Sequence, residues 1–296
     1  MIESDIAMEV AIEISAVTKR YEHFKLQDVS LQIPKGTIVG LIEQNGAGKT
    51  TLFNCILNLV GRDSGSVRLP GLKQDTASEK IRRFVGYLPE RLSYYEWMTV
   101  EALLRFASAF YENWDSEHCR NLMKRYELEP RRKVKELSMG MRKKLGLMLA
   151  LAHRPWALIL DEPTSGLDPV MKFHFLQDLR RNDDSGETEA ILVSSHNLDE
   201  VERLVDRIAI LRLGELQCRE SREKFLEGRN KVVFVPPSRL DWTHGSNEKI
   251  HYLRSDRAMI VSRQETGPLV GRLTTLGGSI SEISRPSLEE IFLQLA

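Results

Sequence analysis

The segment Asn45-Gly46-Ala47-Gly48-Lys49-Thr50-Thr51 joins the apolar run Ile38-Val39-Gly40-Leu41-Ile42 to a stretch where Leu52, Phe53, Ile56, Leu57 and Val60 recur at helical spacing. Strand, loop, helix is the context of a phosphate-binding loop. Glycines there let backbone N–H groups turn toward phosphate oxygens, and the helix N-terminus adds a favourable dipole. Lys49 can reach β- and γ-phosphates, and the Thr50 hydroxyl can ligate Mg²⁺. A second chemical pair stands where the apolar strand Ala157-Leu158-Ile159-Leu160 ends in Asp161-Glu162. Ligands of open α/β sheets bind outside the carboxyl ends of the strands. Asp161 would hold Mg²⁺ through water, and Glu162 would polarise an attacking water as general base. An ordinary Gly-rich turn and a strand end with two solvated acids are the bland alternatives. Their joint occurrence in one chain argues against both.

These residues need a scaffold, and the hydrophobic pattern supplies one. Val10, Ile12 and Ile14 alternate with polar residues, as do Val29, Leu31 and Ile33 before the turn at Pro34-Lys35-Gly36-Thr37, so two half-buried strands are expected. Between about 99 and 152 the period is helical: Val100, Leu103, Leu104, Ala107, Phe110 and Tyr111 share one face, and Leu122, Met123 and Tyr126 a second. Strand and helix signals then alternate: Ala157 to Leu160, Val170 to Arg180, Ala190 to Ser194, Leu198 to Val205, Ile208 to Leu211. Such alternation predicts a parallel sheet covered on both faces. After Gly214 the pattern changes to three short strands, a helix near 268–277, another strand and a final helix at 287–295. Two domains are therefore expected, 1–228 with a helical insert at about 92–152, and a small α/β appendage at 229–296. With one phosphate-loop candidate and one Asp-Glu strand end, the chain is not an internal duplication.

Composition excludes several function classes. Forty-two Lys and Arg balance forty-two Asp and Glu over 296 residues, so the basic footprint of a nucleic-acid partner is missing. The longest apolar run, Leu145 to Ala152, is too short for a membrane span, which needs about 20 residues. Met1-Ile2-Glu3-Ser4-Asp5 carries acid where a secretory leader carries base, so a cytosolic chain is expected. Cys55, Cys119 and Cys218 lack metal-ligand spacing and read as structural thiols in a reducing compartment.

Five further segments carry a resemblance. Leu137-Ser138-Met139-Gly140, Ser165-Gly166-Leu167-Asp168, His196 after the strand Ile191 to Ser195, Tyr21, and Tyr87-Leu88-Pro89-Glu90 occur in the order and spacing of the ATPase subunit of ATP-binding-cassette (ABC) transporters. From about residue 10 to 215 the chain resembles that family. The resemblance implies a P-loop NTPase (RecA-like) α/β core with an antiparallel β subdomain and a helical subdomain. It also implies roles: Ser138 and Gly140 as signature motif, Ser165 to Asp168 as D-loop, His196 as the switch histidine at the γ-phosphate, Tyr21 stacked on adenine, Glu90 at the Q-loop beside the metal. In the family two cassettes pair head to tail, each signature motif closing on ATP held by the other's phosphate loop. ATP, Mg²⁺, a second copy or homologous ATPase subunit, and transmembrane permease subunits are the implied ligands and partners, at the cytoplasmic face of the membrane.

Three positions depart from the family pattern. Glu43 stands where the phosphate loop has its first glycine, Glu90 where the Q-loop has glutamine, and Met141 where the signature motif ends in glutamine. A carboxylate about 5 Å from a phosphate oxygen, at an effective dielectric near 20, repels each unit charge by about 3 kcal/mol. Glu43 either weakens ATP binding, points away, or pairs with Lys49 until nucleotide arrives. Glu90 either ligates the metal or stays protonated. The segment Glu90 to Trp97 is read as a permease-docking surface, with a core-packed loop as alternative, and Arg142-Lys143-Lys144 as a solvated helix face. The tail Pro286 to Phe292 resembles those of ATPases serving exporters. A motor subunit for a separate export permease is thus the leading expectation. A weakly hydrolysing regulatory half-site is the alternative, ahead of ribosome- or DNA-acting ABC proteins and small-molecule kinases.

Overall fold

A strand covered on both faces needs apolar side chains at consecutive positions, and three segments supply them. Thr37–Glu43, Ala157–Asp161 and Ala190–Ser194 are buried throughout, save half-buried Glu43. The computed structural model describes residues 9–43, 46–69, 78–184, 188–237, 250–254, 256–263 and 265–295. The first elements are β1 (Val10–Arg20), β2 (Lys25–Pro34), β3 (Thr37–Glu43), α1 (Lys49–Ile56), β4 (Ser64–Arg68), α2 (Ser78–Phe84) and β5 (Val85–Leu88). A helical stretch follows: α3 (Val100–Ser108), α4 (Ser116–Arg125) and α5 (Met139–Leu151). The chain then alternates through β6 (Ala157–Asp161), α6 (Pro169–Asp184), β7 (Ala190–Ser194), α7 (Leu198–Leu204), β8 (Arg207–Arg212) and β9 (Glu215–Ser221). It ends with α8 (Arg222–Leu226), β10 (Asn230–Val235), β11 (His251–Arg254), β12 (Arg257–Ser262), α9 (Thr266–Thr275), β13 (Ser279–Ser284) and α10 (Leu288–Leu295). By internal contacts there are two units: Met1–Asn197 with Leu204–Arg219, and Leu198–Arg203 with Glu220–Ala296.

In the first unit, six strands lie in the order β5-β6-β7-β3-β8-β9, and β5, β6, β7, β3 and β8 run parallel to one another. Register places Asp161 beside Ser194 and Leu41 beside Ser194, so β6 and β7 end level with one another and β3 runs two residues further, to Glu43. A second, antiparallel sheet, β2-β1-β4, pairs Ile14 with both Leu31 and Val67. Its buried Ile12, Ile14, Leu31 and Ile33 share one core cluster with Leu52, Phe53 and Ile56 of α1 and with Val39, Leu41, Ile159 and Leu192 of the parallel sheet. That cluster clamps α1, and with it the loop that precedes α1, against the sheet.

The helical stretch departs from the sequence pattern at two places. Val100, Leu103 and Leu104 are buried, but α3 stops at Ser108, so Phe110 leaves the predicted face and is 62% exposed. In α5, capped by the Ser138 hydroxyl on the Met141 N–H (3.3 Å), Lys143 is 2% exposed, which corrects the reading of Arg142-Lys143-Lys144 as a solvated face. Helical geometry explains the correction: position 143 shares a stripe with buried Leu147 and Ala150.

The second unit is an antiparallel sheet in the order β11-β12-β10-β13. Val232, Phe234, Ala258 and Ile260 pack with Leu269 and Leu273 of α9, while Lys231 of β10 pairs with Glu290 of α10 at 3.1 Å.

His153, just beyond α5, is fully buried and stacks on Tyr111 with centroids 4.1 Å apart. Burial pushes its pKa down from 6.5 to about 4. Between those values the unfolded chain binds a proton that the folded chain does not, so stability falls as pH is lowered through this window. The expected loss between pH 7.5 and pH 5 is about 2 kcal/mol from this group. Urea unfolding checks it: His153→Phe should lack that increment, and an unchanged pH dependence in the variant would refute the assignment.

Candidate functional site

Gly48 stands at φ +111°, a conformation that side chains resist, and it opens α1 without a side-chain cap. The first N–H groups of α1 are therefore available to an outside acceptor, and one is taken from within the chain. Lys49 N–H donates to Glu43 Oε2 at 3.0 Å. The Lys49 ammonium meets three carboxylates, Glu162 Oε1 at 2.9 Å, Asp161 Oδ1 at 3.4 Å and Glu43 Oε1 at 3.4 Å. Lys49 is 6% exposed, Asp161 1% and Glu162 5%. Burial disfavours the ammonium, but the Glu162 hydrogen bond and the charges of Glu162, Asp161 and Glu43 outweigh it and raise the Lys49 pKa. Burial raises the Glu43 pKa, with Lys49 pulling the other way. Burial, and behind it the charges of Asp161 and Glu90, pushes the Tyr87 phenol up to about 12.

The neighbouring strand ends explain the convergence. Asp161 closes β6 and accepts from the Ser194 hydroxyl of β7 at 2.8 Å, while the same Ser194 oxygen accepts from the Glu162 N–H at 3.0 Å. Glu162 itself has φ +48°, unusual for a residue with a side chain. Its Oε2 accepts from His196 Nδ1 at 2.7 Å, just past β7. Three adjacent parallel strands thus deliver a cation, two carboxylates and an imidazole to one place.

Phe24, Glu43, Gly46, Gly48, Lys49, Thr50, Thr51, Glu90, Glu162 and His196 line an open cleft of about 590 Å³. Ala47, expected in the same loop, is buried, and its carbonyl accepts from Gly214 N–H at 3.0 Å. Asn45 lies outside the described residues, with Gln44 and residues 1–8. Tyr21 is 48% exposed with Lys19 Nζ 5.6 Å from its ring, and Phe24, three residues on, is the aromatic ring at the cleft. A Cβ on Gly48 would collide with the Phe24 ring, so the loop glycine is also where that ring packs.

Ser138 and Gly140 are not among the cleft-lining residues. Gly140 approaches Met171 of α6, and Gly166 approaches Met139, so the signature-like segment lies against Ser165-Gly166-Leu167-Asp168 and the start of α6. That face exposes Met139 (57%), Val170 (65%) and Phe173 (58%). In the segment Glu90 to Trp97, Tyr94 is turned inward, its hydroxyl 3.4 Å from the Arg142 carbonyl. Tyr95 and Trp97 are exposed instead, and they extend through Phe106 to Phe110 as a ladder of ring contacts at 6.2, 5.6 and 5.2 Å.

Magnesium prefers few protein ligands with substrate phosphates completing its shell. Among the described residues no group of three or more His, Cys, Asp or Glu forms a self-sufficient metal site. The Thr50 hydroxyl at the start of α1, buried Asp161 and cleft-lining Glu90 fit a metal that arrives with its phosphates. Sequence reasoning missed Phe24, Ser194 and Lys143. Ser194 ends the apolar strand beside His196, and Lys143 sits on a buried helical stripe, so both left a readable signal.

The family model described as ABC transporter matches residues 26–165. The ABC transporter ATP-binding protein YtrB of Bacillus subtilis is 37% identical over 186 residues, covering 63% of each chain, so the match spans less than two thirds of that relative. YdbJ of the same organism, an uncharacterized ABC transporter ATP-binding protein, is 35% identical over 226 residues, 75% of this chain and 73% of its own. A solved ATP-binding subunit of an ABC transporter superposes with a TM-score of 0.67 at 28% identity, covering 73% of this chain and 91% of that one.

Proposed function

This chain belongs to the ATP-binding proteins of ABC transporters, and from that premise we propose that it binds and hydrolyses ATP to drive an export permease encoded separately. The observation that carries the reading is the meeting of Lys49, Asp161, Glu162 and His196 at three adjacent strand ends. Residues 1–228 would carry the nucleotide chemistry and 229–296 an accessory domain.

In this reading Gly46, Gly48, Lys49, Thr50 and Thr51 cradle the phosphates, as Asn45 and Ala47 would in the same loop. Thr50, Asp161 and Glu90 would hold Mg²⁺, which supplies charge neutralisation on the phosphate oxygens. Glu162 Oε1 leaves Lys49 when phosphate takes that ammonium, and the freed carboxylate accepts a proton from water. The water oxygen bonds to the γ-phosphorus, the bond to the β-γ bridging oxygen breaks, and ADP and phosphate are released. His196, bonded to Glu162 Oε2, orients that carboxylate and faces the γ-phosphate.

Several features support the partners. The cleft lacks Ser138 and Gly140, so a second copy or homologous subunit would supply them head to tail, seated on the Met139, Val170 and Phe173 face. The exposed ladder from Tyr95 to Phe110 suits an apolar permease segment, and among the described residues no helix is long and apolar enough to cross a membrane. The chain would therefore work as a peripheral subunit at the cytoplasmic membrane face. A second reading, a regulatory half-site of low turnover, is favoured by the Glu43 contact on Lys49.

Lys49→Ala removes a charge-assisted contact and leaves three carboxylates without their counter-ion. ATP affinity, measured by equilibrium titration, is expected to fall about ten- to a hundredfold. Parental affinity would reject the phosphate-loop assignment. Reconstitution with the permease and an export assay tests direction, since ATP-dependent uptake in its place would overturn export.

A further inference from the structure

Lys143 is fully buried in α5, yet among the described residues its ammonium touches backbone carbonyls instead of carboxylates. Nζ donates to the Glu162 carbonyl at 3.0 Å and to the Glu90 carbonyl at 3.2 Å. These two residues end different parts of the sheet region, and both line the cleft. Burying an ammonium is costly, and these two carbonyls supply the hydrogen bonds that offset the cost.

What it holds is an unfavourable backbone. Glu162 sits at φ +48°, a conformation that a side-chain-bearing residue keeps only where its surroundings enforce it. Ser194 Oγ takes the Glu162 N–H, while the carbonyl accepts from Lys143 at 3.0 Å and from the Ser165 N–H at 3.2 Å, so the residue is gripped at both ends. With the backbone gripped, the side chain is aimed between Lys49 and His196. Lys143 also lies one turn and a residue beyond the Ser138 cap, on the helix whose first turn is the signature-like segment.

We propose that Lys143 is a positioning residue: its ammonium, on the carbonyls of Glu162 and Glu90, aims the Glu162 carboxylate and ties that aim to the placement of the signature helix. The proposal rests on the ATPase reading with Glu162 as base. It adds a role that neither the phosphate loop nor the Asp-Glu strand end predicts.

The test uses the purified full chain with its partner subunits. Lys143→Met keeps the length and apolar stem but removes the donors. Its kcat is expected to fall on the order of a hundredfold, the scale of an ångström-sized misplacement of a reacting group. KM and the dissociation constant for ATP should stay within about threefold of the parent, because the phosphate loop is untouched. In a Glu162→Gln background, Lys143→Met should lower the residual rate no further, since it acts through Glu162. Lys143→Gln, which keeps amide donors, should recover part of kcat and supplies the test if the Met variant melts early. Parental kcat in the folded variant, equal losses in kcat and ATP affinity, or additive losses in the Glu162→Gln background each overturn the proposal. So does loss of the folded state in both variants, which would make Lys143 a core residue only. A parent chain with no turnover under any condition overturns the ATPase reading and this proposal together, whereas an active parent with equally active variants overturns this proposal alone.

Discussion

Glu162→Gln is expected to abolish nearly all ATP turnover while ATP binding persists. The carboxylate sits at the end of β6 with Oε1 on Lys49 and Oε2 on His196, both contacts of charged or ring nitrogens. An amide of the same shape can still fill that position, accept one hydrogen bond and pack in the buried pocket, so the site's geometry is kept. It cannot accept a proton from water. General-base catalysis contributes typically about 10²- to 10⁴-fold, and a loss of that size is expected in kcat for phosphate release. Loss of one negative charge beside the phosphates should leave ATP affinity equal to the parent's or tighter. Bound nucleotide should then accumulate uncleaved, with two chains held together across it. Measuring phosphate release and nucleotide retention side by side decides the matter: parental turnover in this variant removes Glu162 as the base, and loss of binding with loss of turnover makes it a structural residue.

Glu43→Gly is expected to tighten ATP binding on the order of a hundredfold. Glu43 occupies the Lys49 N–H with Oε2 and lies 3.4 Å from the Lys49 ammonium with Oε1. A triphosphate would need both of those donors, because a helix N-terminus and its lysine are what this loop offers an anion. In the proposed reading the carboxylate would act as an internal anion that has to yield before nucleotide enters. If it stays within about 5 Å of the phosphates afterward, the repulsion is about 3 kcal/mol per unit charge at an effective dielectric near 20, equivalent to roughly a hundredfold in affinity. Glu43→Gln separates charge from shape, since the amide can still accept from the Lys49 N–H. An intermediate gain is expected there. Titration of ATP binding to the three proteins is the check, and equal affinities would show that Glu43 moves aside at no cost. Normal parental turnover together with equal affinities would also remove the regulatory half-site reading.

Much of the fold was legible because its elements have strong local signatures. The buried strands β3, β6 and β7 read as unbroken apolar runs, and the antiparallel β1 and β2 as alternation, since each pattern matches the number of covered faces. Gly46, Gly48, Lys49, Thr50 and Thr51, which line the cleft, were legible as one glycine-bearing turn between a strand and a helix. Less legible were positions whose environment comes from distant segments. Phe110 continued the helical period of α3 but falls beyond its end, and its exposure follows from where the helix stops. Lys143 sits between two basic neighbours, Arg142 bonded to Glu96 at 3.1 Å and Lys144 bonded to the Tyr126 carbonyl at 3.2 Å, so charge masked its burial.

The residues by themselves determined where the candidate groups stand: a lysine at a helix start, an Asp-Glu pair at a strand end, and a histidine after another strand. Local sequence is enough for that, because turn geometry and strand termination depend on neighbours a few positions apart. Tertiary structure alone decided how those groups meet. Of the alternatives for Glu43, it chose the pairing with Lys49, because the loop returns the first residue of α1 to the end of β3. It brought Phe24 to Gly48, and it joined Lys143 to two carbonyls, separated from it by 53 and 19 positions. Contacts of that range depend on strand order and on the packing of a helix against the sheet, quantities that hydrophobic periodicity does not encode.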